Sequence, residues 1–338
     1  GQEDIRKENV LPWAKRLAKL ALTRDLKLKL REIDTELNSV TGDESVLEIL
    51  AKVENVISGV SSQLVSSEET INLGDFAEEY IEYLVSERPE FSGVQTGFPL
   101  LDERLGGGLQ APGIYLIGAR SGCGKSFIGT NIANNCIDKD IKVLILDTEM
   151  TKEITMDRWL SLRTGIPITT LKTGEFAESA ALLEKVRYEV KQIKKHLHYR
   201  NVAGQSHQRW ISIARKWLLS EVKFSPEGTI NPCLIIVDLI KLMDLSDIKN
   251  IAEWQLLGQI MVDLQNFCIQ YNIAMIVFAQ LNREGIERED QGVFGASDRL
   301  IHNCSGAIIL KNKAESDYGG GSTADGTKKL VIVKARFG

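Results

Sequence analysis

The chain has 338 residues, 43% apolar, 26% charged and 7% aromatic, a balance typical of globular proteins that excludes a disordered or fibrous chain. Forty-one Lys and Arg stand against 46 Asp and Glu, and the net charge of −5 excludes a uniformly basic surface that would coat nucleic acid. Any anion binding must be local.

From the N-terminus, GQEDIRKENV is charged throughout and lacks a signal-peptide core, so an intracellular, cytoplasmic protein is expected. The first 90 residues are rich in Leu, Lys and Glu at helical spacing and read as two or three helices, broken at Thr41-Gly42-Asp43 and between Ser58 and Ser67. Leu11, Leu17, Leu20, Leu26 and Leu30 lie among Arg16, Lys19, Arg24, Lys27, Lys29 and Arg31, a basic amphipathic segment whose plainest reading is a solvated helix face. Ile71 to Glu87 carries Phe76, Tyr80, Tyr83 and Leu84 at helical steps and stops before Pro89. That helix needs a partner surface, on its own domain or on a neighbouring subunit.

Beyond Gly93 short apolar runs alternate with helical stretches: Gly113 to Ile117, Val143 to Leu146, Leu234 to Val237, Ala274 to Phe278, Ala307 to Leu310 and Leu330 to Val333. Such runs predict a mainly parallel sheet buried on both faces, and hence an α/β fold. Gly319 to Gly326 reads as an exposed loop between the last two strands. The longest apolar run, Cys233 to Met243, is broken by Asp238 and Lys241 and falls short of the roughly 20 residues a membrane span needs. Five scattered cysteines, Cys123, Cys136, Cys233, Cys268 and Cys304, predict neither a disulfide framework nor a zinc site. His196, His198, His207 and His302 read as packing or surface residues.

After the first strand comes Gly118-Ala119-Arg120-Ser121-Gly122-Cys123-Gly124-Lys125-Ser126, leading into a helix expected over Phe127 to Cys136. In a strand, loop, helix setting this is a phosphate-binding loop. Its glycines let backbone N–H groups converge on the β-phosphate, the helix N-terminus adds its dipole, Lys125 reaches the β and γ oxygens, and Ser126 can ligate Mg²⁺. Ala119 stands where the first Gly of the strict pattern belongs. Leu234 to Val237 ends in Asp238, a carboxylate expected near the loop's Mg²⁺ and acting on it through water. Glu149, just past a strand expected to lie beside the loop strand, could activate a water against the γ-phosphate, and Asp147 competes for that role. Gln280 closes another strand and can sense the γ-phosphate without clamping it, or merely satisfy the sheet end.

Gly93-Val94-Gln95-Thr96-Gly97, Leu101-Asp102, Gly107-Gly108-Leu109 and the loop Ala119-Arg120 with Gly124-Lys125-Ser126 together resemble the DnaB-type replicative helicases. The resemblance continues, in the family's order, through Thr148-Glu149-Met150, Ile236-Val237-Asp238, Gln280-Leu281-Asn282-Arg283 and Lys334-Ala335-Arg336-Phe337-Gly338. It covers 93 to 338 firmly and 45 to 92 loosely. It implies a RecA-like ATPase core that assembles as a homo-oligomeric ring, usually a hexamer, around single-stranded DNA, with ATP and Mg²⁺ between subunits and 5′ to 3′ unwinding. By the same resemblance Ser121, Gly122, Cys123, Gly124, Lys125, Ser126 and Arg120 bind nucleotide, Glu149 rather than Asp147 is the base, and Gln280 is the γ-phosphate sensor. Lys334 and Arg336 match the fingers that reach a neighbour's nucleotide. Charge spread over a transferring phosphoryl group calls for such an added cation.

The resemblance divides the chain into a helical collar remnant at 1–70, a linker at 71–92 whose helix docks on a neighbouring subunit, and the ATPase domain at 93–338. DNA contacts are expected between Asn282 and Cys304, from Arg283, Arg288 and Arg299 and from backbone near Gly295 and Ser297. Leu239 and Lys241 depart from the Tyr and Gln of many members, and Ser121-Gly122-Cys123 from Pro-Ser-Met. A primase and a helicase loader are partners by resemblance alone. A chain without an initiator Met that stops at Gly338 leaves open a fragment of something longer. A RecA or RadA-type recombinase ATPase and an ATP-gated loader or scaffold share the phosphate loop and stand as alternatives.

Overall fold

The computed structural model describes residues 93–225, 229–240, 253–281, 301–314, 317–318 and 326–338, and before them 20–21, 23–24, 27–35, 37–38, 73–74, 77, 80–82 and 85. The chain divides into two units, Gly1–Arg88 and Pro89–Gly338. In the first, the described residues are helical. Ile33 is buried, whereas Leu20, Leu28, Leu30, Leu37, Leu73, Tyr80, Ile81 and Val85 are exposed. Lys29 pairs with Glu32 one turn on, at 2.7 Å. Leu11, Leu17, Leu26, Phe76, Tyr83 and Leu84 lie outside the described residues.

The second unit begins with a clasp. Val94 and Leu109 exchange backbone hydrogen bonds of 2.9 and 2.8 Å. Between them, helix α1 (Pro99–Arg104) carries the buried Asp102, whose carboxylate accepts from the Thr96 amide and hydroxyl, both at 2.8 Å, and from the Gly97 amide at 3.2 Å. Its carbonyl accepts the amides of Gly107 and Gly108. One aspartate therefore gathers every stretch of the first motif. Gly97 has φ +83°, and a Cβ there would come within 1.8 Å of Asn135 Nδ2, an atom that donates to the Thr96 carbonyl at 2.8 Å. Only glycine meets both demands.

Seven strands follow: β1 (Gly113–Ala119), β2 (Lys142–Asp147), β3 (Leu197–Asn201), β4 (Cys233–Ile240), β5 (Ala274–Gln280), β6 (Gly306–Asn312) and β7 (Lys328–Ala335). Their order across the sheet is β3-β2-β4-β5-β1-β6-β7. All pairs are parallel except β6 with β7. Because both faces of β1, β2, β4 and β5 are covered, their side chains are buried in continuous runs, which is why they read as unbroken apolar segments. β3 was not foreseen. It is an edge strand of sequence LHYRN with only half-buried and exposed residues, so it carries no apolar signature.

On one face α2 (Lys125–Asp138), α3 (Lys152–Thr164) and α5 (Ala180–His196) bring Ile128, Ile132, Cys136, Trp159 and Ile193 onto Tyr115, Ile117, Ile145, Ile236 and Phe278. The short α4 (Ile168–Thr173) packs against α3. On the other face α6 (His207–Trp217), prolonged by one π turn through Val222, and α7 (Glu253–Tyr271) bury Trp210, Trp217, Ile260, Leu264 and Phe267 on Leu116, Leu144, Ile235 and Met275. His207 and His196 are buried and bonded to Asp263 at 2.8 Å and Asp140 at 2.7 Å, as packing histidines. No described helix is long and apolar enough to cross a membrane.

Candidate nucleotide site

The loop between β1 and α2 forms because Gly124 sits at φ +101°, ψ 27°, a left-handed conformation next to the first helical residue, Lys125. A side chain at Gly124 would meet nothing within 4 Å, so the requirement is conformational and not spatial. The helix begins at Lys125, two residues before the predicted start, and its first amides face the loop. A cleft of about 460 Å³ opens there, lined by Ser121, Gly122, Gly124, Lys125, Ser126, Glu149 and Gln280, and on its outer wall by Phe127, Arg158, Leu162 and Ile168.

Glu149 reaches this cleft although β2 is not the neighbour of β1. β4 and β5 lie between them, which corrects the expectation that the strand before Glu149 flanks the loop strand. The reason is α2, which leaves the loop and packs across β2 and β4, so the mouth of the site leans over the ends of those strands. β1 has β5 beside it instead, with Ala119 in register with Gln280. Gln280 is thereby carried to the loop.

Asp147 and Glu149 are separated by their surroundings. Asp147 is fully buried, and its Oδ1 accepts the amides of Glu149 and Met150 at 2.7 and 2.8 Å. It holds the turn from which the exposed Glu149 projects into the cleft. Burial raises the Asp147 pKa above its ordinary 3.8, the two amides oppose this, the Glu149 charge adds to it, and Arg158 opposes it.

Asp238, near the end of β4, is 7% exposed and has Ser126 beside it. Burial raises its pKa above 3.8, the Ser126 hydroxyl lowers it, Asp147 and Glu149 raise it and Lys125 lowers it. The Ser126 hydroxyl and the Asp238 carboxylate are hard oxygen groups of the kind that suits Mg²⁺, and no cluster of three or more His, Cys, Asp or Glu placed to hold a metal occurs among the described residues. Two raised carboxyls mean that the folded chain holds protons which the unfolded chain gives up near 3.8. Stability from this pair is therefore full below that value and is lost as pH rises through the raised values. Urea unfolding of metal-free protein at roughly pH 4 to 7 should show this decline, and Asp238→Asn should flatten it. An unaltered slope in the variant would remove Asp238 as its source.

Arg120 and Cys123 face elsewhere. With Ser121 and Gly122 they line a second cleft of about 210 Å³ against Leu281 and residues 309–312 of β6. The Cys123 thiol, buried, donates to the Leu310 carbonyl at 3.4 Å and lies 4.0 Å from Asn312 Oδ1. Lys334 and Arg336 line neither of these two clefts. Lys334 is half-buried and Arg336 exposed. Arg283, Arg288, Gly295, Ser297 and Arg299 lie outside the described residues. The sequence reading missed Arg158, one turn from Leu162 on α3, for which the only signal was a cation and a leucine at i, i+4 on a helix that follows Glu149.

Comparison with known proteins gives this site a context. The family model described as the DnaB-like helicase C-terminal domain matches residues 93–298. A probable replicative DNA helicase of Trieres chinensis is 27% identical over 241 residues, 71% of this chain and 51% of that protein, so the chain spans about half the length of that relative. The replicative DNA helicase DnaB of Pasteurella multocida is 24% identical over 341 residues, 98% of this chain and 70% of that protein. Among solved structures, one described as an ATPase domain aligns with a TM-score of 0.67 at 20% identity, covering 80% of this chain and 93% of that one. A DnaB-like replicative helicase solved with attention to its interactions with primase aligns at 0.64 and 18% identity, covering 98% and 76%. The fold is the RecA-like ATPase fold expected from the sequence. With more than half of its residues matched, and the match beginning at the clasp and spanning the phosphate loop, the chain belongs to the DnaB-like helicase C-terminal domain family.

Proposed function

We propose that the chain is the ATP-hydrolysing part of a replicative DNA helicase, working in the cytoplasm as a homo-oligomeric ring, a hexamer, threaded by single-stranded DNA and unwinding 5′ to 3′. The observation that carries this reading is the convergence of the 121–126 loop, Glu149 and Gln280 on one cleft, with Asp238 beside Ser126. Lys125 and the loop amides take the β and γ phosphates of ATP. Ser126 and Asp238 are the residues that would hold Mg²⁺, Asp238 through water, where it would supply positive charge against those phosphates. Glu149 accepts the proton of the attacking water, and the amide bonds to Asp147 fix the turn that aims it. Gln280 hydrogen-bonds the γ-phosphate without adding charge. Arg158, on the same cleft wall, is a further cation for the phosphates.

Arg336, exposed and outside its own subunit's cleft, supplies the finger to a neighbour's nucleotide. Arg283, Arg288, Arg299, Gly295 and Ser297 are the candidates for DNA phosphates, 1–70 is the collar remnant and 71–92 the linker, while Arg120 and Cys123 line the neighbouring cleft and stay outside the phosphate contacts. The solved relative described with primase supports primase as a partner, beside a loader. The test is ATP turnover of the purified ring with and without single-stranded DNA, together with displacement of a labelled strand from a forked duplex. Turnover that rises with DNA, and strand release that needs ATP, are expected. Turnover indifferent to DNA would point to the loader class, and helical filaments instead of closed rings in electron micrographs to the recombinase class.

A further inference from the structure

The turn that carries Glu149 is held from three sides, and one of them is the edge strand β3. From within, Asp147 Oδ1 accepts the Glu149 and Met150 amides at 2.7 and 2.8 Å. From β4, the Asp238 carbonyl accepts the Thr148 amide at 3.2 Å and the Thr148 hydroxyl at 3.3 Å. From β3, the Tyr199 hydroxyl and Asn201 Nδ2 both donate to the Met150 carbonyl, Asn201 at 2.8 Å. A carbonyl oxygen has two lone pairs, and these two donors take both.

Their meeting at Met150 follows from register. In the parallel pair of β2 and β3, Ile145 stands opposite Tyr199 and Asp147 opposite Asn201. Opposite side chains share a face and residues two apart return to it, so Tyr199 and Asn201 lie on the side of Ile145, the side that α2 and α3 cover. The chain leaves β2 at Asp147 and begins α3 at Lys152 on that same side, which carries Met150 over the end of β3. Asn201 is itself aimed, because its Oδ1 accepts the Ala203 amide at 3.1 Å and so leaves Nδ2 for Met150. The Val202 amide, next along, donates to the Asp147 carbonyl at 2.8 Å and fixes the end of β3 against the start of the turn.

We propose that Tyr199 and Asn201 are positioning residues for hydrolysis: by donating together to the Met150 carbonyl, they hold the turn after β2 in the conformation that carries Glu149 into the nucleotide cleft. This rests on the reading of Glu149 as the base, and it adds two residues of a strand that lines no part of that cleft. A base must stand within hydrogen-bond reach of the water it deprotonates, and a misplacement on the order of 1 Å can cost about a hundredfold in rate. Without the β3 donors the turn keeps its anchors on Asp147 and Asp238, so the loss is partial.

Tyr199→Phe keeps the ring that packs on the core and loses only the hydroxyl, and Asn201→Ala truncates an exposed side chain, so both variants of the full chain should fold. With the two combined, hydrogen exchange of the Thr148, Glu149 and Met150 amides should quicken about tenfold, and by less in each alone. Turnover at saturating ATP should fall about tenfold in the combined variant while KM for ATP stays as it was, because no group that lines the cleft has changed. Added to Glu149→Gln, the same two substitutions should cost no further turnover, since residues that act through the base then have nothing to aim. Unchanged exchange overturns the proposal. A raised KM at unaltered kcat overturns it too, as does a tenfold loss that persists in the Glu149→Gln background. Full turnover in Glu149→Gln alone would defeat the reading of Glu149 as the base, and the exchange measurement would still decide whether β3 holds the turn.

Discussion

Lys125→Ala should lower ATP turnover about a thousandfold, and Arg336→Ala by about as much, because each removes a cation on which the transferring phosphoryl group depends. The two lesions fall in different places. Lys125 lines the cleft of its own subunit, and Arg336 lines neither cleft of its own. In a ring assembled from equal amounts of the two inactive proteins, a site is whole where a subunit with intact Lys125 meets a neighbour with intact Arg336. Random assembly makes about a quarter of the interfaces whole, so the mixture should regain up to about a quarter of the original turnover. Ring integrity by native mass spectrometry is the control. No recovery from an intact mixed ring would end the proposal that sites are shared between subunits.

The second large effect is on stability. Arg163 of α3 is 11% exposed; its Nε is bonded to Glu189 of α5, and its NH1 lies 3.0 Å from Asp138 and is bonded to Asn134, both in α2. Burial works against the guanidinium's charge, but the hydrogen bonds it donates to Glu189 and Asp138 outweigh this and hold the proton more tightly than usual. Three helices on one face of the sheet meet at this side chain. Arg163→Met should cost about 3–5 kcal/mol in urea unfolding, because it leaves the Glu189 carboxylate, 13% exposed, without its cation. Arg163→Met combined with Glu189→Leu should win back much of that loss, since an apolar pair of similar volume leaves no charge stranded. A single variant that loses under about 1 kcal/mol would reduce the cluster to an ordinary surface ion pair.

What could be read without coordinates divides along a physical line. The buried strands announced themselves because covering on both faces forces unbroken apolar runs, as in Ile114 to Ile117 and Leu234 to Val237. β3 did not, because an edge strand needs no such run. The phosphate loop was legible because its chemistry is local, one glycine conformation and a helix start within nine residues of sequence, Gly118 to Ser126. Strand order is not local. The sequence contains nothing that says β5 and not β2 lies beside β1, so the route by which Glu149 reaches the cleft came only with the sheet. Asp147 and Glu149 are likewise indistinguishable as letters. They part because one faces inward and spends an oxygen on two amides while the other faces out. Arg158 was invisible because it sits on a helix whose outer face resembles any solvated one.

The clasp at the start of the second unit has a mechanical side. The bonds between Val94 and Leu109 close a loop around Asp102, and Asn135 anchors that loop to α2 through the Thr96 carbonyl. Tension arriving along the backbone at Gly93 therefore divides: part crosses at once to Leu109 and so toward β1, and part passes at Thr96 into the far end of the helix whose near end holds Lys125.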